Sequence, residues 1–157
     1  MSDAVLWYRD AAVRRFLVFG YLPWLAGFNL AWEVAQLPLY TLWTSSSTGY
    51  LAFAVAHCTL GDALIGSGAV LASLIVLRAS ALGQWRWVRI AACTTTLGVA
   101  YTVFSEWINL TVLGSWAYSA RMPLIPLGGV EIGASPLAQW LLVPPLALAL
   151  GRKARLE

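Results

Sequence analysis

Four ionisable side chains lie within long apolar stretches of this chain: Glu33, His57, Asp62 and Glu106. Asn29, Glu33 and Gln36 follow the spacing i, i+4, i+7, and Thr102, Glu106 and Asn109 repeat it. Each set therefore forms one polar stripe along a helix. Removing carboxyl and imidazole groups from water brings their titration toward neutrality, which suits them to acid/base work. Glu33 and Glu106 are the expected proton donor and acceptor, with His57 and Asp62 as tuning partners in the same catalytic set. His57 and Asp62 are five positions apart, about 140° around a helix, so they cannot share one narrow face. Asn29, Gln36 and Asn109 are expected to orient a substrate, and Gln139 opens the last apolar stretch on the same side. Trp32, Trp107 and Trp140 would wall the site and stabilise a developing carbocation by cation–π attraction. Tyr118 and Arg121 are expected at its mouth.

Other chemistries fit these residues less well. Di-iron bundles use Glu-x-x-His pairs, whereas Glu33-x-x-Gln36 and Glu106-x-x-Asn109 both end in an amide. Zinc needs several His or Cys ligands, and the chain has one histidine. A hard divalent cation held by Glu33, Asp62 and Glu106 stays open; otherwise no cofactor is expected. Ser45, Ser46 and Ser47 lie in a polar turn with no nucleophile elbow, and adjacent His57 and Cys58 diverge on a helix. Asp62 with a second carboxylate suggests an intramembrane peptidase, but the motifs of lipoprotein signal peptidases are missing. Proline interruptions at Pro23, Pro38, Pro144 and Pro145 keep a proton or ion carrier in view.

These groups need a scaffold, and composition identifies it. Of 157 residues, 60% are hydrophobic and 11% charged, against about 25% charged in soluble domains. That excludes a soluble globular domain, a disordered chain and an ordinary nucleic-acid binder. A membrane crossing takes roughly 20 apolar residues, and four stretches approach this: 16–43, 51–77, 90–113 and 136–150. The expected fold is all-α, a single transmembrane domain over residues 1–157 built as an integral membrane four-helix bundle.

Charge placement gives the orientation. Arg9, Arg14 and Arg15 precede the first stretch, Arg78, Arg86 and Arg89 fill the second connection, and Arg152, Lys153 and Arg155 follow the fourth. Only Arg121 lies opposite. The positive-inside rule then predicts both termini in the cytoplasm, in a multi-pass protein of the bacterial inner membrane with a retained first span. Trp85, Trp87, Trp43, Tyr50, Trp116 and Tyr118 suit interfacial belts. In this topology Asn29, Glu33, Gln36, His57, Asp62, Glu106, Asn109, Gln139 and Trp140 all fall in the outer half of the bilayer. An ionisable side chain at the centre of a membrane helix is unfavourable by about 2.5–3.5 kcal/mol even on a lenient scale, so these groups should face the bundle interior. The connection 114–135 is long and apolar, and is expected as an outer re-entrant or interfacial loop. Arg121 would meet Glu33, Glu106 or a headgroup there, or rest near Glu131, a loop residue. Cys58 and Cys93 lie at different depths and are expected as packing residues rather than a disulfide. Gly61, Gly66 and Gly68 offer close helix contacts, within the chain or in a homo-oligomer.

Trp32-Glu33-x-x-Gln36-x-Pro38-Leu39-Tyr40, His57-x-x-x-Gly61-Asp62 and Trp116-x-Tyr118 before Met122-Pro123 resemble a set found in small uncharacterised bacterial polytopic membrane proteins. Trp116-x-Tyr118, Gly129-x-x-Ile132, Pro136-Leu137-Ala138-Gln139 and Pro144 are similar to the C-terminal part of a lycopene-cyclase-type repeat. Those cyclases protonate a polyene without metal or redox change, so the resemblance implies an isoprenoid-like substrate. Ala138 and Gln139 stand where that family carries an acidic pair, so its catalytic carboxylates do not transfer. The combined expectation is a membrane-embedded isomerase, cyclase or lipid-modifying enzyme whose partner is a membrane lipid or other apolar small molecule. The rivals are an assembly subunit of a larger membrane complex and a small proton or ion carrier.

Overall fold

The computed structural model describes residues 6–154; Arg155 lies outside the described residues. The chain forms four long helical segments. α1 spans residues 11–36 as α-helical Ala11–Arg15, a π-helical stretch Phe16–Tyr21, and α-helical Leu22–Gln36. α2 is Thr48–Val76, α3 is Trp87–Trp107 continued by a π-helical turn Ile108–Leu113, and α4 is Ala134–Lys153. Each segment packs on two others, in the cyclic order α1, α2, α3, α4. Among the described residues, three helices, Thr48–Val76, Trp87–Leu113 and Ala134–Lys153, are long and apolar enough to cross a membrane, with mean hydropathies of 1.7, 1.2 and 1.3. The outward faces carry large apolar groups, with Phe19 and Leu64 both 75% exposed, as expected where lipid rather than water is the solvent.

Helix ends follow local chemistry. The expected first stretch, 16–43, stops at Gln36: Leu37 keeps helical dihedrals, but Pro38 removes the backbone donor that would continue the α-helix. Leu37–Leu39 tightens into a 3-10 turn, Tyr40 is extended, and Leu42–Ser45 forms a separate short helix. At the other end, the Asp10 carboxylate accepts from Ala12 N at 2.8 Å and Leu82 N at 3.0 Å. This cap starts the helix before residue 16 and ties it to the α2–α3 connection. Ser47 Oγ accepts from Tyr50 N and starts α2 three residues early. Pro23 falls where the π-helical stretch returns to α geometry. Pro144 and Pro145 sit inside a continuous α4; each removes an N–H, and packing on neighbouring helices holds the element together.

The connection before α4 departs from the all-α expectation. Leu124–Leu127 (β1) and Val130–Gly133 (β2) pair as an antiparallel hairpin, with Leu127 opposite Val130. Gly128 and Gly129 have φ of 58° and 87°, and positive φ at both central residues is what a two-residue hairpin of matching twist requires. Upstream, the segment around Tyr118 lies along the chain at Tyr40. Thr41 N donates to Ala117 O at 3.0 Å and Ser119 N to Leu39 O at 2.9 Å.

The bundle has two unlike ends. At the end holding the start of α1 and the α2–α3 connection, the core is apolar and aromatic. Phe16 packs edge-on against Trp85 and Trp87, at 5.6 and 5.2 Å between ring centres. Tyr21, Leu25, Val70, Leu74, Ile90 and Val143 fill the layer above. Ser73 and Thr94 join α2 to α3 by a 3.1 Å hydrogen bond. The opposite end is polar.

Between these ends α3 and α4 approach closely at Gly98, where an added Cβ would overlap the Trp140 ring. Gly98→Ala should lower stability by about 1–3 kcal/mol through overpacking. Gly68→Ala, where nothing lies within 4 Å, should be neutral or stabilising by up to about 1 kcal/mol. Thermal melting of the two variants in detergent checks the contrast.

Candidate functional site

At the polar end, the α1 stripe turns inward as its spacing requires: Asn29, Glu33 and Gln36 are all buried. Gln139 on α4 meets them. Its amide nitrogen donates to Asn29 Oδ1 at 2.9 Å, to Glu33 Oε1 at 3.3 Å and to Asp62 Oδ2 at 2.8 Å. One side chain thereby joins α1, α2 and α4. Gln36 Nε2 donates to Glu33 Oε1 at 2.7 Å, and its own carbonyl accepts from Ser135 Oγ at 2.8 Å. Ser135 in turn accepts from the Trp32 indole N–H at 3.2 Å. Asn29 Nδ2 is buried without a partner.

Glu106 belongs to a second group. The Tyr118 hydroxyl donates to Glu106 Oε2 and accepts from the backbone N–H of Gly133, at 2.8 Å for the latter. The hairpin end is thereby connected to α3 through one phenol. Burial, and then the hydrogen bond to Glu106, hold the Tyr118 phenol above its ordinary value, so it remains a donor at neutral pH. Trp116 lies beside Glu106 with its buried indole N–H turned toward that carboxyl.

The two groups face one cavity of about 330 Å³ lined by all four helices. Glu33, Asp62 and Glu106 all line it, with Gln36, Gln139 and Trp140. Asn109 also lines the cavity, but its amide nitrogen donates back to Ser105 O at 2.8 Å.

Several expected site residues lie elsewhere. His57 reaches the cavity rim but is exposed and stacks on Phe53 at 5.7 Å; the 140° between positions 57 and 62 turns only Asp62 inward. Asn29 and Trp32 support the network without lining the cavity. Trp107 is 42% exposed on the outer face of α3, one position past the inward Glu106. Arg121 is exposed and does not line the cavity. Cys58 and Cys93 are free thiols. Among the described residues, no three His, Cys, Asp or Glu side chains are grouped to hold one metal ion.

Sequence reasoning missed Ser135 and Trp116 as site components, together with the hairpin whose Gly133 donates to Tyr118. The signal for the hairpin was present: Gly128-Gly129 between Leu124–Leu127 and Val130–Gly133 marks a two-residue turn.

Tyr118→Phe removes the donor to Glu106 and the acceptor for Gly133 at once. It should destabilise the fold by about 1–3 kcal/mol, the range for stranding buried hydrogen-bonding groups. Amide hydrogen exchange should accelerate at Gly133 and along β2, which distinguishes this loss from general loosening.

Comparison of the chain with family models, with curated proteins and with solved structures returns no match.

Proposed function

We propose that this chain is a membrane-embedded enzyme using acid/base chemistry on a lipid or isoprenoid-like substrate. The observation that carries the reading is the convergence of carboxyls from α1, α2 and α3 on one cavity inside an apolar bundle. Such groups are unfavourable in a membrane interior and mark functional sites there. In this proposal α1 crosses the bilayer with the three long helices. Both termini are cytoplasmic, as the basic residues at alternate ends favour, and the cavity lies in the outer half of a bacterial inner membrane.

The chemistry is redox-neutral. A carboxylic acid among Glu33, Asp62 and Glu106 gives its proton to one carbon of a C=C bond, whose electron pair forms the new C–H bond. The cation left on the neighbouring carbon lies against Trp140, which lines the cavity. A carboxylate then removes a proton from an adjacent carbon, and that C–H pair becomes the new C=C. The product is an isomer, or a ring if a second alkene attacks the cation first. Gln139 and Gln36 orient Glu33, Gln139 orients Asp62, and Tyr118 orients Glu106.

The same network ties α1 to α4, which favours a second reading, an assembly subunit whose polar groups serve architecture. Incubating purified protein in D2O with a total membrane lipid extract separates the readings without knowing the substrate. Wild type should deliver deuterium to carbon of a lipid, read by mass spectrometry. Glu33→Gln and Glu106→Gln should slow this by about 10²–10⁴-fold, the range for general acid/base groups, with folding retained. Absence of deuterium in any lipid overturns the enzyme. A stable protein partner lost on Glu33→Gln then supports the assembly subunit, and pH-dependent proteoliposome flux lost on Asp62→Asn supports the carrier.

A further inference from the structure

The cavity has a one-sided polar chemistry. Glu33, Asp62 and Glu106 offer carboxyl oxygens, yet among the described residues no lysine or arginine lines it. Arg121, the basic residue of the connection before α4, is exposed and outside the lining. A phosphate or diphosphate placed there would meet carboxyls and no cation, whereas phosphate sites are built from arginine, lysine or backbone N–H groups. The Trp116 indole N–H is turned toward Glu106, so the cavity offers that carboxyl as an acceptor with a donor already beside it. A hydroxyl matches such a wall by donating its hydrogen to a carboxyl oxygen.

The apolar part of such a ligand has a way out. Ser73 and Thr94 hold α2 and α3 together at the aromatic end. Toward the polar end, Ala54, Cys58 and Gly61 of α2 and Tyr101 and Ser105 of α3 line the cavity instead. Tyr101 is 46% exposed, so the lining reaches the lipid-facing surface. A cavity of about 330 Å³ is at the small end of ligand sites, roughly 300–1,000 Å³. It has room for a headgroup and the first part of a chain, with the remainder running along the apolar outer face.

We infer that the cavity binds the polar end of a phosphate-free lipid bearing hydroxyl groups, whose chain leaves between α2 and α3 into the bilayer. This deepens the proposed function and rests on its reading of the cavity as a lipid site, though not on catalysis.

A matched pair of probes tests it: 1-oleoylglycerol and 1-oleoyl-lysophosphatidic acid, which differ by one phosphate. Native mass spectrometry of the full chain in detergent should show a single bound 1-oleoylglycerol, at least tenfold tighter than the phosphate ester. Gly61→Leu should weaken that binding by at least tenfold with melting temperature retained. Gly61 lines the cavity, and an added Cβ there meets nothing within 4 Å, so a larger side chain there extends into ligand space from an unhindered Cβ. Equal or tighter binding of the phosphate ester overturns the inference, as does undiminished binding to Gly61→Leu or no binding of either probe. Selective alcohol binding without deuterium delivery to any lipid keeps this inference and removes the enzyme. Deuterium delivery to phosphate esters alone does the reverse.

Discussion

The side-chain amide of Gln139 has two N–H groups and faces three acceptors: Asn29, Glu33 and Asp62. In an apolar bundle each of those acceptors would carry a large desolvation penalty if left alone. Donation from one nitrogen to three of them therefore couples their positions, and with them α1, α2 and α4. Gln36 and Ser135 extend the linkage to the first turn of α4. Such a network is worth most when fully satisfied and becomes a liability when partly broken. The polar end is specified by these contacts in a way that interchangeable apolar side chains do not achieve.

The two ends of the bundle divide the work. The aromatic end supplies close, non-directional packing through Phe16, Trp85 and Trp87, with Arg152 over the Trp87 ring at 5.2 Å. It anchors the helices while their opposite halves diverge around a cavity. The hairpin packs against α3 and the start of α4, and Tyr118 makes its position depend on Glu106. Scaffold and site are continuous but stabilised by different forces.

Much of this was legible in spacing. The i, i+4, i+7 repeat at Asn29, Glu33 and Gln36 put three polar groups on one helical face, and all three are buried. The same repeat turned Thr102 and Glu106 inward. The three helices long and apolar enough to cross a membrane were also readable, because bilayer thickness fixes apolar length. Residues whose role depends on angular position within half a turn were harder. Trp107 is an aromatic neighbour of the site by sequence yet faces outward, and His57 lines the cavity only at its exposed rim. Contacts made across the fold, such as Tyr118 with Glu106 or Trp32 with Ser135, carry no local periodicity. The overrun of the first stretch to residue 43 came from hydropathy continuing past Pro38, where the missing backbone donor had already ended the helix.

The unequal burial of the helices bears on biogenesis. Half of the most apolar window of α4 is buried within the protein, against 28% for α2 and 22% for α3. α4 is also the last of the four to leave the ribosome, and it carries Gln139. The acceptors on α1 and α2 therefore emerge during synthesis before their shared donor exists. Until α4 arrives, Asn29, Glu33 and Asp62 must be sheltered by water, lipid headgroups or an insertion chaperone. Membrane quality control thus has a natural window in which to recognise unfinished chains, and it closes when the last helix docks.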